Sequence, residues 1–535
     1  MSRQKMIASC GSPPRPCLVS FICGTQAKRW DGTFEAMQTT PNVSTVLDFN
    51  LAAGRGAKTA VITANDDLWT YADLHAATCR VAEHLIDVGV RRGERVLLVL
   101  DDTPVFPASF LGAMRMGAIP IPVNFLARPD DFGYFLDDSY AVAAIFDDAF
   151  IEKVGPQLES RPGVRSLDGE LVASWMDDGD GEFEAVETHP DDPAFWLYSS
   201  GSTGLPKAVV HRHASFGATA RHYAWPTLGI SEDDVVFSST KMFHAYGLGN
   251  NLTFPLSVGA TSVYLTGRPT PEALLKRVVR HRPDLYFSVP ALYNAVMVDP
   301  QFDSVDWSSV RHGISAAEPL PPETWRRFQE RTGVEILDGL GSTEMLHIYC
   351  TNRAKTVKPG TSGGPVEGYQ LEIRDPAGEL IEDEAAGELW VKGPSALAGY
   401  WHQFDRTKAK LVGEWFASGD RYHRDDDDNY VYEGRVDDMM KIGGLWVSPI
   451  EIENRMMEHP AVSEAAVVRD EVDDTSRISA FVIINQDSEP PSVTELQQWC
   501  KMTLLGYQYP HVVNFVEDFP RTATGKIQRF KLRSD

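Results

Sequence analysis

Cysteine is scarce in this 535-residue chain: the six residues lie at positions 10, 17, 23, 79, 350 and 500, with no Cys-x-x-Cys pair and no His/Cys metal spacing. That argues against a zinc module and fits reduced thiols in a cytoplasm. A run of about eighteen apolar residues is also missing, so no membrane-spanning helix is expected. Positive charge is in deficit, 50 Lys and Arg against 75 Asp and Glu for a net charge of -25. Broad contact with nucleic acid or with an anionic membrane is thereby disfavoured. Any anionic ligand must be held by donors gathered locally. No internal repeat of fixed period interrupts the chain.

What is present is ordinary for a soluble enzyme: 43% hydrophobic and 23% charged residues. The length exceeds one hydrophobic core and implies several structural units. Residues 1–36 hold three cysteines and several prolines and show little periodicity, so they are expected to be a disordered extension. Their apolar CLVSFIC patch lacks a small-residue cleavage site, which argues against a signal peptide, and Met37 is a candidate start. Residues 70–89 place Leu74, Ala77, Val81 and Leu85 at helical spacing behind a Thr N-cap and before Gly89. A buried strand (Arg95 to Leu100), a helix near 107–117 and the strand-like AIPIPVN follow. Strand, helix, strand implies a parallel sheet, and similar alternation returns to about residue 338. After about residue 360 short alternating strands and Gly/Asp turns predict a β-rich unit. Asp425 to Asp428 reads as a solvated hairpin turn. The charged, glycine-containing GRVDDMMKIGG then separates that unit from a last αβ segment, as a hinge would. The fold class expected is α/β: a large N-terminal domain of two αβ sheet subdomains plus a β-rich subdomain, over 37–434, a hinge at 435–438, and a small mobile α+β domain over 439–535.

The segment Tyr198 to Val209, YSSGSTGLPKAV, packs hydroxyls, glycines and one lysine together. Glycines let backbone N–H groups approach an anion, while Ser199, Ser200, Ser202 and Thr203 add donors and Lys207 adds charge. It lacks the Walker spacing. Alone, such a cluster reads as a polar surface turn. Its company changes that: ILDGLGSTEM (336–345), EWFASGD (414–420), GRVDDMMKIGGLWVSPIEIE (434–453) and PRTATGKIQ (520–528) follow in order. This series resembles that of the adenylate-forming superfamily of acyl- and aryl-CoA ligases, adenylation domains and luciferases. FHAYGLGN (243–250) and DGLGSTEMLHIY (338–349) are most similar to benzoate- and hydroxybenzoate-CoA ligases.

The resemblance implies an acid–thiol ligase that joins benzoate or a substituted benzoate to coenzyme A through an aryl-adenylate, using ATP and Mg²⁺ and releasing AMP and pyrophosphate. It assigns the 199–207 loop to the β- and γ-phosphates, Thr343 to the α-phosphate and Glu344 to Mg²⁺. Asp420 and Arg435 are assigned to the ribose, and Ala317, Glu318 and Pro319 with Asp338, Gly339 and Leu340 to the adenine. Lys526 is implied to reach both the acid and the α-phosphate. Rotation about Asp437 is implied to withdraw Lys526 and present Lys441, Gly443, Gly444, Leu445 and Trp446 to the pantetheine arm. The aryl pocket is implied to use His244, Ala245, Tyr246, Ala316, Gly341 and His347. Outside that context His244 and His347 read more readily as satisfied core histidines than as ligands, and Trp446 equally as a buried aromatic.

Four departures from the family wording stand out: Ala208 where Gly is usual, His244 where benzoate-type members carry Phe, Gly443 for Ser, and LGYQYPH (505–511) for a more basic stretch. The second bears on the acid and the last on coenzyme A. Two other readings stay open at this point, a stand-alone enzyme loading an aryl acid onto a separate carrier protein and a non-catalytic nucleotide-binding relative. A cytoplasmic location and a homodimer are compatible with all of these, with no membrane or nucleic-acid partner.

Overall fold

The computed structural model describes residues 42–533 except 202–203, 383, 437–438, 443–444, 473–474, 486–487 and 522–526. The expected extension 1–36 lies outside the described residues. The helix read from residues 70–89 runs Tyr71–Asp87, and Thr70 caps it in a reciprocal box with Asp73. Leu74, Ala77, Val81 and Leu85 are all buried on its inner face. It packs against Val105–Arg115, where a Cβ on Gly112 would stand 2.9 Å from the Thr78 carbonyl. Only glycine allows helices to approach so closely.

Arg95–Val99 lies between Ile119–Pro122 and Ala141–Phe146 in a parallel sheet completed by Arg165–Asp168. A second sheet has a parallel centre in the order Ile336–Gly341, His312–Ser315, Leu285–Ser288, Val235–Ser238, Thr261–Val263, Thr59–Ile62. Antiparallel strands close it at both edges. Near-continuous burial of these strands is what a sheet covered on both faces requires.

Pro193–Gly201 and Gly204–Arg212 form an antiparallel hairpin joined by Gly399–Tyr400. The β-rich unit is an antiparallel sheet around Trp415–Arg424, with Gly387–Lys392, Leu411–Val412 and Tyr430–Arg435 paired to it. Residues 425–428 make its turn: Asp428 has φ 60°, and the Lys358 ammonium pairs with Asp425 and Asp427. The last segment holds Pro449–Met457 and Val493–Lys501 against the strands Val462–Val472, Thr475–Ile484 and Val512–Phe515. It has its own apolar cluster, including Ile452, Met456, Val467, Ala480 and Leu496. Among the described residues no helix is long and apolar enough to cross a membrane.

Candidate active site

The serine- and glycine-rich segment is the end of a hairpin rather than an open loop. Ser199 stands opposite Lys207 and Tyr198 opposite Ala208. The methyl that replaces the family's glycine is buried in the sheet. Tyr198 donates to Asp138 at 2.7 Å and Tyr134 donates to the Pro206 carbonyl at 2.7 Å, pinning both arms. Ser199 Oγ is buried without a hydrogen-bond partner among the described residues, a donor left over for a ligand. Ser200 lies in the first strand, and Ser202 and Thr203 lie outside the described residues. The Lys207 ammonium sits 5.5 Å from the centre of the Tyr400 ring, and Tyr400 donates to Glu344 Oε1 at 2.9 Å. Burial holds Lys207 below the usual ammonium range; Glu344 opposes that shift, and Arg406, Arg435 and Lys410 reinforce it. Four cations thus gather around Glu344 and the paired carboxylates Asp420 and Glu388 in a chain that is acidic overall, which is how local donors offset a surrounding negative field.

Sequence reasoning missed Tyr400, Arg406, Lys410 and His211. Arg406 and Lys410 are four apart on the helix Phe404–Lys410, a spacing that puts both on one face and was readable. His211 is fully buried at the far end of the hairpin, and its Nε2 donates to the Thr343 carbonyl at 2.8 Å. Burial pushes its pKa down to about 4, so the ring is neutral. One bond therefore fixes the turn that carries Thr343 and Glu344 to the strand that carries Lys207. Met345 N donates to Ser342 Oγ, and Leu397 N donates to the Glu344 carbonyl at 2.8 Å, holding the same turn from its other side.

Asp420 and Arg435 are register partners on neighbouring strands, and the guanidinium donates to Asp420 Oδ1 at 2.9 Å. Gly419, at φ +79°, leaves room for them, since a Cβ there would lie 2.9 Å from Arg435 Nη2 and 3.3 Å from Lys410 Nζ. The segment after His312–Ser315 holds Ala317 in a left-handed conformation at φ 77°, exposed beside Pro319. Across from it Asp338 is buried on Ile336–Gly341; its Oδ2 accepts from Leu320 N and its Oδ1 has no partner among the described residues. Burial pushes its carboxyl up to about 8, against the pull of the nearby Leu320 and Gly339 N–H groups and the Ser315 hydroxyl.

Glu318 joins this segment to the C-terminal unit, accepting from Ile527 N at 3.1 Å. Arg521 bridges to Ile527 and pairs with Glu464 at 2.6 Å. Ile527, next to Lys526, is therefore docked on the segment expected to bind adenine, while Lys526 itself lies outside the described residues. Asp437, Gly443 and Gly444 lie outside them too. Lys441 and Trp446 are register partners in the hairpin Met440–Ile442 and Leu445–Val447, as are Ile442 and Leu445.

His244, Ala245 and Tyr246 open the short helix Ala245–Leu248, which runs into a π-helical turn at Gly249–Thr253. A second π turn lies at Ala220–Ala224, where Trp225 N donates to the Ala220 carbonyl at 3.0 Å. Both turns face His347: Tyr223 lies 5.5 Å and Phe254 4.5 Å away between ring centres, and Asn250 Oδ1 is 3.1 Å from His347 Nε2. Tyr246 stands 5.4 Å from the same ring and donates to the Ile314 carbonyl at 3.1 Å. Gly249 and Gly341 are both required, because a Cβ on the first would collide with the His347 ring and one on the second would lie 2.7 Å from its carbonyl. Ala316 is buried at the end of the neighbouring strand. His244 packs its ring 4.2 Å from Phe243, and its Nε2 is buried without a partner among the described residues. Burial holds it neutral, with its pKa pushed down to about 4.

Comparison with known proteins supplies relatives for this arrangement. The model of the AMP-binding enzyme family matches residues 49–401, and that of the AMP-binding enzyme C-terminal domain matches residues 451–526. The chain is 45% identical to the benzoate–CoA ligase of Thauera aromatica, over 91% of this chain and 94% of that protein. It is 39% identical to the 4-hydroxybenzoate–CoA/benzoate–CoA ligase of Rhodopseudomonas palustris, over 91% and 92%. The crystal structure of a benzoate CoA ligase from Burkholderia xenovorans LB400 superposes with a TM-score of 0.87 at 43% identity, covering 92% of this chain and all of that one.

Proposed function

The chain belongs to the AMP-binding enzyme family, and from that membership we propose that it is an ATP-dependent aryl-CoA ligase, converting benzoate or a substituted benzoate to its CoA thioester through an aryl-adenylate. The observation that carries this reading is the clustering of Lys207, Glu344, Tyr400, Asp420 and Arg435, in a chain 45% identical to a benzoate–CoA ligase.

The first step brings two anions together, the carboxylate and the α-phosphate, and cations with N–H and O–H donors must offset their repulsion. Lys207, Ser199, Ser200, Ser202 and Thr203 hold the β- and γ-phosphates. Thr343 donates to the α-phosphate, on a turn that His211 holds in place. Asp420 accepts the ribose hydroxyls, with the Arg435 guanidinium bonded to its Oδ1. Adenine lies between the 316–319 and 338–340 segments. Glu344 offers a hard carboxylate oxygen beside the Lys207 ammonium and would hold Mg²⁺, which would supply charge neutralisation when bound. Lys526 approaches the carboxylate and α-phosphate from the segment docked on Glu318. In the second step the C-terminal unit turns at Asp437, Lys526 leaves, and the hairpin carrying Lys441 and Trp446 meets the thiol arm, Gly443 and Gly444 being proposed to leave room for it. The unit boundaries at 434 and 439 belong to this proposal, as does a cytoplasmic setting, for which the buried free thiols of Cys79, Cys350 and Cys500 are suited.

Incubation with ATP, Mg²⁺, benzoate and coenzyme A is the test, with pyrophosphate, AMP and benzoyl-CoA followed together. Stoichiometric formation of all three is expected. Pyrophosphate release with transfer only to a carrier protein would overturn the thiol acceptor, and its absence with every aromatic acid would overturn catalysis.

A further inference from the structure

Lys241, three residues before His244, is 7% exposed, and its ammonium lies 2.8 Å from Asp101 Oδ1 and 3.9 Å from Asp102 Oδ2. It also donates to the Leu265 carbonyl and sits 5.8 Å from the centre of the Phe125 ring. Its carboxylate partners are tied down in turn. Asp101 Oδ2 accepts from Gly267 N at 2.6 Å, and Asp101 N donates to Asp147 Oδ2 at 2.7 Å. Asp102 N donates to Asp101 Oδ1 at 2.8 Å, and Asp102 Oδ1 accepts from Met242 N at 3.1 Å.

The topology explains what this network joins. Asp101 and Asp102 follow the strand Arg95–Val99, and Asp147 follows Ala141–Phe146, both in the four-stranded parallel sheet. Leu265 and Gly267 follow Thr261–Val263 in the other parallel sheet. One buried ammonium thus clamps the carboxyl ends of strands from two sheets to the segment that leads into the aryl pocket. The clamp reaches that wall through adjoining rings: Phe125 meets Phe243 edge-on at 5.3 Å, and Phe243 lies 4.2 Å from His244 at a tilt. A buried ion pair is a poor source of net stability, because desolvation offsets its Coulomb gain, and an apolar side chain of similar volume would serve the fold as well. Its geometry, by contrast, admits one register of the 241–244 backbone.

We propose that Lys241 is a positioning residue for the aromatic acid, setting the 241–246 wall through its bond to Asp101 and through Asp102's hold on Met242 N. This rests on the aryl-CoA ligase reading for its substrate, and on geometry alone for the wall.

The test uses Lys241→Met, Asp101→Asn and their combination in the full-length protein. KM for benzoate is expected to rise about tenfold in each single variant, with KM for ATP within about twofold of the parent. The double variant should be no worse than Lys241→Met, because both changes remove one interaction. Equal shifts in both KM values, or additive effects, would overturn the proposal. Hydrogen exchange gives a second readout that needs no turnover: in Asp101→Asn, amides over 241–248 should exchange about tenfold faster while those over 208–212 are unchanged. Asn keeps an oxygen acceptor, so this variant serves if Lys241→Met does not fold. A parent enzyme inert toward aromatic acids would refute the ligase reading, and unchanged exchange over 241–248 would separately refute the positioning role.

Discussion

Replacing Asp102 with Asn tests the electrostatics of that clamp through stability. Asp102 is 2% exposed, and burial pushes its carboxyl up to about 7, with Lys241 and the Met242 N–H pulling downward and Asp101 pushing upward. Tyr264, packed nearby, is held well above its usual range by burial and by the same carboxylate. An aspartate in the unfolded chain titrates near 3.9. Between about pH 4 and pH 7 the unfolded chain has therefore lost a proton that the folded protein retains, and stability falls as pH rises through that window before levelling off. Three pK units correspond to about 4 kcal/mol at pH 8. Asn keeps the oxygen that accepts from Met242 N and carries no charge to desolvate, so most of that cost should vanish in Asp102→Asn. The N-terminal family match spans about 350 residues. At about 2 cal/mol/K of unfolding entropy per residue, 4 kcal/mol corresponds to a shift of about 5 °C. Thermal unfolding followed by circular dichroism should show the variant about 5 °C more stable than the parent at pH 8 and equal to it near pH 4. A variant less stable at pH 8, or displaced by the same amount at both pH values, would refute the reasoning.

Two other substitutions probe the reacting groups. Lys526→Ala should lower pyrophosphate release at least about 100-fold, since it removes a cation where charge develops, yet supplied benzoyl-adenylate and coenzyme A should still give thioester; near-normal pyrophosphate release would refute the assignment. His244→Phe removes the unpartnered Nε2 and should move the benzoate to 4-hydroxybenzoate ratio of kcat/KM toward benzoate by up to about tenfold, with an unchanged ratio showing that this imidazole does not read the ring.

Local pattern carried much of the fold. The Thr70 cap, the 3.6-residue apolar spacing of Tyr71–Asp87 and the strand Arg95–Val99 were readable because each depends on neighbours in sequence. So was the turn at 425–428, although its Lys358 partner was not. What escaped the sequence depends on tertiary placement. His211 is one polar residue in a strand until Thr343, 132 positions away, is laid beside it. Lys241 meets Asp101 across 140 positions, and Glu318 receives Ile527 N across 209. No periodicity records such pairs. Motif wording picked out the segments proposed to face ligand, whereas the contacts that hold those segments in place became visible only when distant strand ends were brought together.

The π turn at 249–253 makes the proposed pocket wall adjustable by length. It inserts one residue into an otherwise α-helical path from Ala245–Leu248 to Phe254–Val258, and in an α-helix one residue corresponds to a rotation of about 100°. Removing a single residue from 249–253 would rewind the turn and swing Asn250 off the His347 edge, leaving the parallel strands behind it in register. The shape proposed to meet the acid can therefore change by a one-residue deletion, a larger step than any side-chain exchange at the same place and one that leaves the strands proposed to face the nucleotide alone.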